Sequence, residues 1–108
     1  MSGSSPKSAV VLHADDDVAV LVSSISAGEA VITKGALEGL VLHPRHQLVA
    51  GHKIALADLE TGRHVRKYGE VIGRLTAPVL AGDHVHVHNL VSLRATESRR
   101  GDVAPGEL

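Results

Sequence analysis

An all-β domain, with helix confined to short turns, is the fold class this sequence predicts, and three observations carry it. Val, Ile and Leu recur in short groups separated by Gly, which is 11 of the 108 residues, rather than along one face of a helix. The β-branched members of those groups suit a pleated surface. A pattern of an apolar residue, two residues, Gly, two residues and a branched apolar residue also recurs: Ile25, Gly28 and Val31; Leu48, Gly51 and Ile54; Leu59, Gly62 and Val65; Val79, Gly82 and Val85. Each copy reads as a turn feeding a strand, with Gly where a Cβ would be strained. The uneven spacing between copies excludes a regular solenoid.

Taken in order, residues 1–8 hold four Ser with Gly, Pro and Lys and no apolar period, and are expected to be a disordered leader. Candidate strands follow at 9–12, 18–22, 30–33, 39–42, 53–56, 64–65, 71–75 and 84–88. Residues 57–59 can form no more than a short turn of helix, because Gly62 follows so soon. Residues 95–108 carry Glu97, Arg99, Arg100, Asp102, Pro105 and Gly106 among scattered apolar residues and are expected to be a flexible tail. The domain proper is thus expected over residues 9–94.

Composition removes several function classes. Lys and Arg number 11 against 12 Asp and Glu, and Tyr68 is the sole Phe, Trp or Tyr, so neither a basic stripe nor a stacking platform argues for nucleic acid. With no Cys, the chain offers no disulfide, thiolate nucleophile or Cys-ligated metal. Neither a signal peptide nor a membrane span is evident, and the cytoplasm is the expected compartment. A chain of this length buries roughly 60 to 65% of its unfolded surface, so a partner chain or self-association would matter to its stability.

Three clusters could carry chemistry. In His84-Val85-His86-Val87-His88-Asn89, strand alternation would put the three His on one side and Val85 and Val87 in the core. Adjacent His would then be about 6.6 Å apart and His84 and His88 about 13 Å apart, so a straight strand gives at best two ligands to a metal, and no metal site is expected in this chain alone. Hydrogen bonding or proton transfer to an anionic substrate suits imidazoles that titrate near neutrality. Asn89 could bond a loop carbonyl or a substrate hydroxyl.

In Gly51-His52-Lys53-Ile54-Ala55-Leu56, His52 lies where turn meets strand, and Lys53 could neutralise a carboxylate or sulfonate or simply protect a strand edge. In Arg66-Lys67-Tyr68-Gly69-Glu70, two cations beside a phenol and a Gly suit a small-anion turn, or a turn that merely packs the Tyr68 ring. His13 could face the same cleft as His86. Asp15, Asp16 and Asp17 lack calcium-loop spacing and read as a solvated turn. Phosphate-loop, dinucleotide and nucleophile-elbow motifs are absent.

Together, His13 with Asp17-Val18-Ala19-Val20, Gly51-His52-Lys53-Ile54-Ala55-Leu56, Lys67-Tyr68-Gly69-Glu70-Val71-Ile72-Gly73 and Gly82-Asp83-His84-Val85-His86-Val87-His88-Asn89 resemble the small SAF-type β-clip domain of altronate and galactarate dehydratases. The small subunit of sulfolactate sulfo-lyase has a similar pattern. The resemblance covers about residues 10–93 and departs from the family around Leu40-Val41-Leu42-His43-Pro44-Arg45-His46. It implies a β-clip fold and the small subunit of a hydroxy-acid lyase, inactive without a large catalytic subunit that holds Fe2+ or Mn2+.

On that reading His52 and His86 are the candidate catalytic residues. His13, Lys53, Lys67, Tyr68, His88 and Asn89 are candidates for binding a small hydroxy acid. A sugar acid is the first expectation and sulfolactate the alternative. A stand-alone anion-binding module, or an assembly piece without chemistry of its own, remains a competing reading.

Overall fold

The computed structural model describes residues 6–92. Among the described residues nine strands are found: β1 (Lys7–Val11), β2 (Val18–Leu21), β3 (Val31–Gly35), β4 (Val41–Leu42), β5 (Lys53–Ala55), β6 (His64–Lys67), β7 (Glu70–Leu75), β8 (His84–Val85) and β9 (Leu90–Ser92). A six-stranded sheet runs β4-β3-β1-β2-β5-β8, and a three-stranded sheet runs β6-β7-β9. β1 and β3 are parallel; the other pairs are antiparallel. The whole is a strongly curled half-barrel.

The fourfold pattern seen in the sequence is the unit of this architecture. Gly28, Gly51, Gly62 and Gly82 all have φ between 81° and 93°. Each is the third residue of a turn closed by a backbone bond: Glu29 N–H to Ser26 O, His52 to Val49, Arg63 to Glu60 and Asp83 to Leu80. A positive φ at that place is what a type II turn demands, and Gly meets it without steric cost. The apolar residues that open the copies pair as two bridges, Ile25 with Leu48 and Leu59 with Val79. Those that close them, Val31, Ile54, Val65 and Val85, are fully buried.

Burial divides the core in two. Ala9, Val11, Ala19, Leu21, Ile25, Val31, Leu42, Leu48 and Ile54 pack on one face of the large sheet. Val18, Ala55, Leu59, Val65, Leu75, Val79 and Val85 pack between its other face and the small sheet. β2 and β5 serve both, because alternate residues of Val18–Leu21 and Lys53–Ala55 point to opposite sides. With no Phe or Trp, small branched side chains do the filling.

Some expectations need correction. No helix occurs among the described residues, not even the short turn expected at residues 57–59. Leu59 instead exchanges backbone hydrogen bonds with Val79, and Asp58 Oδ1 accepts the Ala81 N–H, so this backbone is committed to a neighbouring chain segment. The first strand begins at Lys7 rather than Ala9, because Lys7 and Ser8 pair in register with Val31 and Ile32 of β3. β9 was not foreseen, and the strand expected over 84–88 stops at Val85. The expected tail at 95–108, and residues 1–5 of the expected leader, lie outside the described residues.

Candidate functional site

The His-rich segment is folded back on itself. After Val85 the chain turns, with the Asn89 N–H bonded to His86 O at 2.9 Å. The Asn89 side chain locks that turn from inside: Oδ1 accepts the His86 N–H at 2.9 Å and Nδ2 donates to His84 O at 2.8 Å. Asn89 is buried, and its bonds to the backbone make it a positioning residue for the imidazoles. Two consequences differ from the straight-strand expectation. Val87 is 79% exposed instead of facing the core. The His84 and His88 ring centroids are 5.3 Å apart, the same as His84 and His86, where an extended strand would hold the first pair far apart.

His52 completes the group. The antiparallel register of β5 and β8 sets Ile54 opposite His84. The turn entering β5 therefore delivers His52 beside His84, with Nδ1 of His52 at 2.8 Å from Nε2 of His84 and ring centroids 4.4 Å apart. The His86 ring lies 6.3 Å from that of His52. His84, absent from the sequence-based candidates, is thus the hub of four imidazoles. Burial pushes its pKa down to about 4, and the nearby charges of His52, His88, His86 and Lys53 push in the same direction. It is a neutral imidazole at neutral pH, able to give or take the hydrogen bond to His52.

A divalent metal of the kind the resemblance implies does not fit these residues. Among the described residues, no group of three or more His, Asp or Glu is arranged to hold a metal ion. The His52–His84 contact shows why: two ring nitrogens that share a hydrogen bond do not both present lone pairs to a common ion.

A second group forms around the β6–β7 hairpin. Asp16, read from sequence as part of a solvated turn, is buried, and its carboxylate accepts the Tyr68 N–H at 3.0 Å and the Gly69 N–H at 2.7 Å. Asp17 accepts from the Arg63 guanidinium at 2.9 Å and from the Arg66 N–H at 2.8 Å. Only Asp15 of the three behaves as expected and stays exposed. Asp16 holds Tyr68 at φ 59°, a left-handed conformation that a bulky residue keeps only when its surroundings impose it.

The Tyr68 ring is consequently 66% exposed, not packed, with Lys67 Nζ 5.8 Å from its centroid. His13 lies against Gly69 so closely that a Cβ there would come within 2.9 Å of the imidazole.

His52, His86 and His88 therefore gather their rings around His84, and His13, Lys67 and Tyr68 gather at the β6–β7 turn. Lys53 lies in electrostatic reach of both: its pKa is lowered by burial and by Lys67, and its charge is felt at His84. A cleft of about 250 Å³ opens on the imidazole side, lined by Arg45, His46, Ala77, Pro78, Val79, Asp83, His84, His88 and Asn89. A larger groove of about 540 Å³, between Asp15, Asp17, Arg63, His64 and Arg66, includes none of the candidate residues. Its Asp17 and Arg63 already satisfy one another. Arg45 and His46 come from the β4–β5 connection, and nothing in the local sequence pattern marks them as neighbours of residues 84–89.

Residues 7–93 match the family model described as the altronate/galactarate dehydratase SAF domain. An altronate dehydratase of Escherichia coli is 38% identical over 80 residues, covering 74% of this chain and 15% of that protein. One from Bacillus subtilis is 31% identical over 83 residues, covering 77% and 16%. The (2R)-sulfolactate sulfo-lyase subunit alpha of Chromohalobacter salexigens is 36% identical over 89 residues, covering 79% of this chain and 94% of that subunit. The chain therefore spans about one sixth of the curated altronate dehydratases it matches and nearly all of that sulfo-lyase subunit alpha.

Proposed function

Because the chain belongs to the SAF-domain family of altronate and galactarate dehydratases, we propose that it is the small subunit of a cytoplasmic hydroxy-acid lyase, most concretely a sugar-acid dehydratase, active only with a large subunit that carries the metal. The observation that carries this reading is the convergence of His52, His84, His86 and His88 from two separate turns in a chain of this family.

Dehydration beside a carboxylate removes a proton from the α-carbon, and the electron pair left behind forms a C=C bond as the β-hydroxyl departs with a proton as water. The resulting enol then becomes the 2-keto acid. The step needs a base for the carbon proton and an acid for the leaving hydroxyl. His52 and His86 take these proton-transfer roles, with neutral His84 between them to fix His52 by its hydrogen bond. Lys53, Lys67, Tyr68, His13 and His88 bind the acid, and Asn89 holds the turn that presents His86 and His88. The metal, Fe2+ or Mn2+ in the partner, supplies charge stabilisation when bound.

A second reading has its own support. The chain covers nearly all of a (2R)-sulfolactate sulfo-lyase subunit alpha, and the same constellation would serve C–S cleavage, with sulfite leaving on the electron pair of that bond. The deciding experiment mixes the purified chain with a large subunit encoded beside it, adds Fe2+ or Mn2+, and assays sugar acids and sulfolactate separately. The expected result is product from the mixture alone. Turnover by the large subunit unchanged when the chain is left out would overturn the proposal.

A further inference from the structure

The 250 Å³ cleft beside the imidazole group has an asymmetric chemistry. Its carboxylate and amide oxygens are already hydrogen-bonded. Asp83 receives Arg45 Nε at 3.0 Å on one oxygen, and Arg45 Nη2 at 2.8 Å and the Leu80 N–H at 2.9 Å on the other. The Asn89 oxygen receives the His86 N–H. The rest of its lining is a set of residues with side-chain nitrogens, Arg45, His46, His84 and His88, together with Ala77, Pro78 and Val79.

The paired contact with Asp83 fixes the Arg45 fork in orientation, and a guanidinium so held presents its outer edge to a planar or tetrahedral oxyanion. The volume lies below that of drug-sized pockets and suits a molecule of a few carbons.

We propose that this cleft receives the oxyanion end of a small hydroxy acid, its carboxylate or sulfonate, with Arg45, His46 and His88 donating to it while the reacting carbons lie toward His52 and His86. The inference rests on the lyase reading for the identity of the acid, and adds Arg45 and His46 as the residues that select for an anionic terminus. The β4–β5 connection thereby becomes the specificity-determining segment of the chain. Arg45 Nη1 and the imidazole N–H groups satisfy an oxyanion. An uncharged ester or amide, with fewer acceptor lone pairs and no negative charge, would leave some of these donors unpaired, which is how a donor-lined site rejects it.

The test is 1H–15N NMR on the full 108-residue chain, following Arg45 Nε–H and the His46, His88, His52 and His86 imidazoles while sulfolactate, a six-carbon aldonate or the methyl ester of that aldonate is added. Saturable shifts at Arg45, His46 and His88 with either acid and not with the ester are expected. In His46→Gln, whose exposed position leaves the fold intact, the affinity should fall three- to tenfold. The acid that saturates first is the one the cleft prefers.

Shifts confined to His52 and His86 would overturn this inference and leave the lyase reading standing. No shift at any of these groups with either acid would also overturn it, while activity of the reconstituted pair judges the lyase reading separately.

Discussion

Replacing His52 with Gln lowers turnover of the reconstituted lyase about 100- to 10,000-fold, the usual contribution of a positioned proton-transfer group. Gln keeps polarity and approximate reach but cannot carry a proton between two partners, and it removes the 2.8 Å bond that ties His52 to His84. His86→Gln should act similarly, since His86 is exposed and makes no contribution to either core. In both variants the complex with the large subunit should elute unchanged by size-exclusion chromatography. Full turnover in both would remove His52 and His86 from the chemistry.

The largest effect on stability is expected at Asp16. Asp16→Ala should destabilise the chain by about 2–4 kcal/mol, read as a lower denaturation midpoint at unchanged slope. Two backbone donors, the N–H groups of Tyr68 and Gly69, lose a buried carboxylate. The positive φ of Tyr68 then loses the carboxylate that braces it. For a small domain that is a large fraction of the total. Asp16→Asn retains one acceptor oxygen and should cost about half as much. A loss under about 1 kcal/mol in Asp16→Ala would show that the turn is held by other contacts.

The contrast between the turns and the clusters explains what could be read from the sequence. The four Gly turns were legible because their chemistry is local: an apolar residue, a Gly with positive φ and a buried branched residue fall within one short window. The two bridges that pair them were not, since the copies alone do not say that Ile25 meets Leu48 and Leu59 meets Val79. The role of Asp16 was not legible, because its partners are 52 and 53 residues away and an Asp triplet in isolation looks solvated.

Arg45 and Asp83, 38 residues apart, were hidden for the same reason. Strand periodicity misplaced Val87 and separated His84 from His88 because the Asn89 side chain, bonding back to residues 84 and 86, ends the strand after Val85. The clusters as groups of interesting residues were visible; the contact of His52 with His84 was not, because it depends on the pairing register of β5 and β8.

The imidazole group also links protonation to stability. The folded-state pKa of His84 is lowered to about 4 from its ordinary value of 6.5, so the unfolded chain binds this proton more readily. The stabilising effect is complete above pH 6.5 and is lost as pH falls from there toward 4. His84 is only partly buried, which keeps the effect modest.

The most direct measurement is therefore the titration of His84 followed through its ring 15N shifts in the folded chain, with His84→Gln used to assign the signals. A midpoint near pH 4, with His52 and His84 resonances responding to one another's substitution, is the predicted result. A midpoint near 6.5, with His52 indifferent to the loss of His84, would contradict the packed imidazole group on which the functional reading stands.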